Sequence, residues 1–270
     1  MDRLDVDIIS QGLAPGSLGS RVVVFESTQS TNDVAAEYAR SLGHHGLVVL
    51  ADIQTAGRGR GGNRWVSGKG ASLLCSVVLT RCHVRAELLS LSVAVACAQA
   101  VCPQARIKWP NDILLSGKKV AGILVEGKAL DRRTAYVIGI GINCHQTEGD
   151  FPAELRTTAT SLDLATGTTV DRNQLARRLL VCLDHWLAVA EQDAAQVVDA
   201  WKRLSLHVGR RLTVIQNDRR FSGTCIGVEP EHGLILQLEH GGVRMFDAAH
   251  SHIAQPDDRA ICPPRGEPGG

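Results

Sequence analysis

Apolar residues along the chain fall into short runs with strand texture and longer ones with helical length. RVVVF (21–25), LVVLADI (47–53) and ASLLCSVVL (71–79) predict strands, since β-branched and aliphatic side chains suit a buried, pleated surface. Between the first two, Ser30-Thr31-Asn32 offers capping side chains to a helix over DVAAEYARSL, with Gly43 in the usual closing position. From Ala86 to Val101 the run has helical length and few breakers, and is apolar enough to lie on a sheet. ARIKW, DILL and KKVAGILVE follow as short strands, with Ser116-Gly117 as the turn between the last two, and TAYVIGIGINC (134–144) is another. A helical region is predicted from about Asp171 to Leu204, where Asp171 and Gln174 have the spacing of a capping-box variant.

Beyond Gly209 the texture changes. RRLTVIQ, RRFSGTCIGV, GLILQLE and VRMFD are short strands separated by turn residues, the pattern of a small all-β barrel or sandwich. The chain therefore divides into a lead-in over 1–20 with the loop-like GLAPGSLGS, a mixed α/β domain over 21–206, a small β domain over 207–254, and a tail over 255–270 expected to be disordered. A chain of 270 residues buries roughly three quarters of its unfolded surface and needs no disulfide or metal to hold a core.

Charge and cysteine usage narrow the class. Lys plus Arg total 29 against 28 acids, a formal charge of +1, which argues against a dedicated nucleic-acid binder. The eight cysteines are scattered without a C-x-x-C pair, so neither a zinc site nor a secreted disulfide framework is expected, and Cys97 reads as a small buried apolar residue. MDRLDVDIIS carries acids and lacks the apolar run of a signal peptide, and no stretch approaches the ~20 apolar residues that span a bilayer. A cytoplasmic location is expected.

Three segments carry candidate chemistry. Residues 55–70, TAGRGRGGNRWVSGKG, hold six glycines, four cations and one aromatic residue, and should form a mobile loop. In its centre Arg58, Arg60 and Arg64 alternate with glycines, so guanidiniums and backbone amides can converge on an anion; the alternative is a solvated basic loop. In KWPNDILLSGKKVAGILVE, Lys119 precedes small or apolar residues and can reach into a pocket, or simply sit solvated beside a turn. Asn111 and Asp112 form a corner whose side chains commonly satisfy turn backbone. In IGIGIN, the alternate glycines mark close approach by another chain or a ligand. Neither a Walker A loop nor a dinucleotide fingerprint is present.

Taken in order, EST-x-STN, QTAGRGRGGNRW, KWPNDI, KKVAGILVE and IGIGINC resemble the biotin protein ligases, over roughly residues 21–250. The resemblance implies an α/β (α+β) mixed-sheet catalytic domain of the biotin/lipoate ligase type, followed by a small all-β SH3-like domain. It implies biotin contacts at Ser30, Thr31, Asn32 and Gln54, and a loop of Gly57, Arg58, Gly59 and Arg60 folding over biotin and the adenylate. Lys119 matches the family lysine near the biotin carboxylate and the ATP α-phosphate, with Gly122 lining the same pocket. Lys119, Arg58 and Arg60 are the implied catalytic cations. Trp65, Asn111 and Asn143 are placed with them on the ATP or adenylate side, although a core tryptophan reads equally well for Trp65. No dedicated metal site is expected; Mg²⁺ arrives with ATP, with Asp112 as the one candidate ligand. The family often has a basic residue where Gly61 stands and an arginine where Asn63 stands, which shifts the expected triphosphate grip to Arg58, Arg60, and Arg64 or Lys69.

The implied reaction is ATP-dependent formation of biotinyl-5′-AMP and transfer of biotin to a lysine of a biotin carboxyl carrier protein, releasing AMP and pyrophosphate. No covalent enzyme intermediate is expected. Bifunctional members carry an N-terminal winged helix-turn-helix of about 60 residues, and 20 residues are too few for one. The expectation is therefore a monofunctional ligase, with no DNA or membrane partner and a homodimer left open. The rivals are a lipoate or other acyl ligase, a biotin-sensing repressor, and a non-catalytic protein that keeps the adenylate.

Overall fold

The computed structural model describes residues 2–130 and 133–254, so the tail from Gln255 lies outside the described residues. Strands β1 (Arg21–Phe25), β2 (Leu47–Ala51), β3 (Ser72–Leu79), β4 (Arg106–Lys108), β5 (Asp112–Leu115), β6 (Lys118–Leu130) and β7 (Arg133–Asn143) form one sheet in the order β1-β2-β3-β7-β6-β5-β4. β1 and β2 are parallel because the helix between them, α2 (Thr31–Tyr38), carries the chain back across the sheet. The remaining pairs are antiparallel. The turn between β5 and β6 is as expected: Ser116 and Gly117 both have positive φ, 51° and 79°.

Helix α3 (Ala86–Val101) is buried along nearly its whole length, against α5 (Arg172–Gln192) and α6 (Ala194–Leu204). The expected single helical region is broken at Asp193. Its φ of −149° ends α5, and its carboxylate accepts the Ala195 and Gln196 amides that open α6. At the other end of α5, Asp171 takes the Asn173 and Gln174 amides, as its spacing predicts.

One local expectation needs correction. Gly43 does not close α2, which ends at Tyr38; it lies instead in a short 3₁₀ turn at Leu42–His44. Ahead of the loop-like GLAPGSLGS, the lead-in holds a helical turn. Asp5 caps a short helix, α1 (Val6–Ser10), that packs on α5 with Leu4 and Ile9 buried. Arg172, 1% exposed, holds the lead-in through Asp2 Oδ1 at 2.7 Å and reaches Asp52 Oδ1 at 3.0 Å with another nitrogen.

A short helix, α4 (Leu162–Thr166), precedes α5, and the C-terminal region is a second, antiparallel sheet of five strands. These are β8 (Arg211–Gln216), β9 (Arg219–Glu229), β10 (Gly233–Leu238), β11 (Val243–Phe246) and β12 (Ser251–Ile253), in the order β11-β10-β9-β8-β12. Val214, Cys225, Leu234 and Phe246 join the same continuous apolar core as α3 and α5, so the two sheets are not packed independently. The seam includes the Leu206 amide donating to the Ile107 carbonyl at 3.0 Å. Among the described residues, no helix is long and apolar enough to cross a membrane.

Candidate active site

Register places the site. Ser76 lies opposite Gly139 and Leu74 opposite Gly141 across β3 and β7, while β6 sets Gly122 opposite Gly141 and Leu124 opposite Gly139. Because side chains alternate along a strand, these residues share one sheet face. α2 covers part of that face, and the rest is the floor of a cavity of about 550 Å³.

The glycines of IGIGIN make room for side chains of this same chain. A Cβ at Gly141 would lie 2.5 Å from Cε2 of Trp65, and one at Gly122 would lie 3.0 Å from Cζ3 of the same ring. A Cβ at Gly139 would overlap the amide of Asn32. Trp65 is therefore part of the cavity wall and not a remote core residue. Lys119 Nζ stands 5.8 Å from its ring centroid, within cation–π range. That lysine is not a lone cation, because Asp112 Oδ1 is 2.6 Å from its ammonium. Its backbone is fixed as well: the Lys119 amide donates to Thr158 and its carbonyl accepts from Thr160.

The glycine–arginine loop is tethered, which composition alone did not suggest. Trp65 donates its amide to the Gly57 carbonyl at 3.0 Å, and Gly59 donates to Asn63 at 2.7 Å. Gly61 and Gly62 have φ of 64° and 81°, so the turn at the tip uses left-handed backbone that glycine adopts without strain. This accounts for glycine at 61, a position where the resemblance implies that the family often has a basic residue. Arg58 binds Asp33 Oδ1 at 2.6 Å and Glu126 Oε2 at 3.3 Å, so both ends of its fork already have carboxylates. The hydrogen bond it donates to Asp33 raises its pKa and holds it charged. Arg60 donates to the carbonyls of Ala248 and Ser251, bringing the turn before β12 to the cavity. Burial pulls its pKa down.

Glu126 also joins Arg58 to a chain of polar contacts. Thr31 donates its amide and its hydroxyl to Gln54 Oε1, at 2.7 and 3.0 Å. Ser76 Oγ lies 2.7 Å from Thr31 Oγ1 and 2.6 Å from Asn32 Oδ1, and Asn32 Nδ2 donates to Glu126 Oε2 at 2.6 Å. Ser30 holds the N-cap position of α2 without a side-chain cap bond, so this trio does not serve as the helix cap its residue types suggest.

Against curated proteins, the chain is 33% identical over 255 residues to the bifunctional ligase/repressor BirA of Bacillus spizizenii, spanning 91% of this chain and 78% of that one. It is 34% identical over 216 residues to the biotin–acetyl-CoA-carboxylase ligase of Mycobacterium tuberculosis, covering 76% and 78%. The chain belongs to the biotin protein ligase family. Residues 24–143 match the Biotin/lipoate A/B protein ligase family. Among solved structures, the biotin protein ligase from Aquifex aeolicus in complex with biotin and ATP shares the fold, with a TM-score of 0.75 at 23% identity over 87% of this chain and 99% of that one.

Most residues singled out from the sequence of this ligase meet at one cavity. Ser30, Thr31, Asn32, Gln54, Arg58, Gly59, Arg60, Trp65, Asn111, Asp112, Lys119 and Gly122 all line it, as does Arg64. Two do not. Gly57 is behind the wall, where a Cβ would lie 2.6 Å from the Trp65 carbonyl and 2.8 Å from Gln54 Nε2. Asn143 is buried, donating to the Thr160 carbonyl at 3.0 Å and accepting from Gln146 at 3.1 Å. Asn111 lines the cavity, but its amide donates to the Ile123 carbonyl at 2.9 Å, so it supports the turn. Sequence reading missed Asp33, Ser76, Glu126 and the segment 249–253. Glu126 had a signal: it stands two and four residues past Leu124 and Gly122 on one strand face. The segment at 249–253 had none.

Cys75 touches the cavity, yet burial pushes its thiol up to about 12, which leaves no thiolate nucleophile there at neutral pH. Among the described residues, no group of three or more His, Cys, Asp or Glu could hold a metal ion.

Proposed function

We propose that this cavity is where the ligase joins biotin to ATP and then releases biotin to a lysine. The chain is an ATP-dependent biotin ligase; the site assignments that follow are our reading. In the first step a biotin carboxylate oxygen attacks the ATP α-phosphorus. The bond to the β-phosphate oxygen breaks, and pyrophosphate leaves with the electron pair. In the second, an acceptor lysine, as its free amine, attacks the acyl carbonyl. The carbonyl–phosphate oxygen bond breaks, AMP leaves as an anion, and the amine gives up a proton as the amide forms. The acceptor class is the biotin carboxyl carrier protein of a carboxylase.

The observation that carries the assignment is Lys119, whose ammonium stands over the Trp65 wall and beside Asp112. Bringing a carboxylate to a phosphate juxtaposes two anions, and a fixed cation stabilises the charge that accumulates in the transition state. Thr31, Asn32 and Gln54 supply polar partners at one end of the cavity, suited to the ureido group of biotin, while Arg60, Arg64 and the segment 249–253 flank the nucleotide side. Mg²⁺ is commonly held by one or two carboxylates plus substrate phosphates, and Asp112 fits that description. Held there with the triphosphate, the ion would supply neutralisation of phosphate charge.

The test is biotin-dependent exchange of labelled pyrophosphate into ATP, followed by biotin transfer to an isolated carrier domain. Exchange with transfer is expected. Lipoate-dependent exchange in its place would identify a different acyl substrate, and exchange without transfer would leave a protein that only keeps the adenylate.

A further inference from the structure

Glu126 is absent from the cavity wall, yet two residues that line the wall depend on it. Its carboxylate accepts from Asn32 Nδ2 at 2.6 Å and from Arg58 Nη2 at 3.3 Å. Asn32 comes from the first turn of α2, Arg58 from the glycine–arginine loop, and Glu126 from β6, so one side chain joins three elements distant in sequence.

The chemistry of the contact restricts Asn32. An asparagine amide has a donor end and an acceptor end of nearly equal shape, and its neighbours decide which way it faces. An ionised carboxylate only accepts, so it draws the NH₂ group toward itself and turns Oδ1 toward the Ser76 hydroxyl, 2.6 Å away. Gly139 leaves the space in which that amide sits. Position, orientation and donor polarity of Asn32 are thus imposed by Glu126, Ser76 and Gly139, and none of these three holds the amide through its own helix. The same carboxylate, with Asp33, holds Arg58 at the edge of the cavity.

We propose that Glu126 is a positioning residue for the biotin end of this site, acting by fixing the Asn32 amide. This rests on the reading of the cavity given above. Glu126→Gln keeps the side chain's shape but removes the charge and lets the new amide face either way, so the orientation of Asn32 is no longer imposed.

The experiment is steady-state pyrophosphate exchange with biotin and ATP varied separately, alongside thermal melting, for wild type, Glu126→Gln, Asn32→Ala and the double variant. Glu126→Gln is expected to raise the KM for biotin by roughly tenfold or more, the effect of losing a hydrogen bond to a charged group. The KM for ATP and the melting temperature should stay near wild type. In the Asn32→Ala background, Glu126→Gln should add little further to the biotin KM, because the group it acts through is gone. An unchanged biotin KM, equal rises in both KM values with a lowered melting temperature, or full additivity would each overturn the proposal. If Glu126→Gln does not fold, Ser76→Ala removes the other anchor of the same amide and should give the same biotin-selective rise; no rise would refute it. Wild-type protein without biotin-dependent exchange would instead reject the ligase reading itself.

Discussion

The Trp65 indole lies across Gly141 so closely that a Cβ at position 141 would come within 2.5 Å of Cε2. The ring also covers Gly122, where the corresponding distance is 3.0 Å. One tryptophan from a glycine-rich loop is thereby seated in a groove that two paired strands leave open.

Gly141→Ala should displace that ring. Overpacking of this kind typically destabilises by about 1–3 kcal/mol. Gly122→Ala, with more space, should be milder in both melting temperature and biotin-dependent exchange. Tryptophan fluorescence and exchange rates on the two variants check the ranking, and equal effects would contradict the seating described.

Lys119→Ala should lower adenylate formation by roughly 10²–10³-fold, the usual effect of removing one charge-stabilising contact from a transition state. The salt bridge to Asp112 is partly exposed, at 37% for Lys119 and 22% for Asp112, so solvent screening keeps its contribution to stability small. Melting should therefore change little. Exchange kinetics measured together with melting decide this, and a fully active variant would remove Lys119 from the reaction.

Arg172→Met should destabilise the whole protein by about 3–5 kcal/mol, since it leaves Asp52 and Asp2 facing each other without their shared cation. Burial opposes ionisation of Asp2, but hydrogen bonds from Arg172 outweigh it and hold that carboxyl below its ordinary value. Asp2→Asn should reproduce part of the loss. Urea denaturation of both variants measures it.

Acid should weaken the fold through His207. Burial, aided by the neighbouring Lys108, lowers its pKa from 6.5 to about 4, and its Nε2 is buried without a hydrogen-bond partner. Between those values the unfolded chain binds a proton that the folded chain does not, so stability rises with pH there and falls on acidification. From pH 7.5 to pH 5 the loss from this group is about 2 kcal/mol. Urea titrations at the two pH values should show it, and His207→Gln should reduce the difference. An identical pH difference in the variant would assign the loss to other groups.

Strand and helix texture read directly from the sequence because each needs only local pattern. DILL and the helix at 86–101 were legible with their boundaries, and the change of texture after Gly209 marked the second sheet. That Lys119, Trp65 and the S-T-N trio meet at one cavity was legible through residue type and family resemblance.

What those side chains do to one another was decided by the fold. Sequence offered Ser30-Thr31-Asn32 as helix caps, but the register of β3 and β7 brings Ser76 and Gly139 beneath them and turns them to the cavity. Sequence offered Arg58 and Arg60 as a free phosphate grip. Tertiary packing adds that Arg58 is held by Asp33 and Glu126, and Arg60 by the carbonyls of Ala248 and Ser251, 188 and 191 residues away. The reason is range: backbone preference and apolar periodicity act over a few neighbouring residues, whereas a hydrogen bond forms wherever packing brings donor and acceptor within about 3 Å.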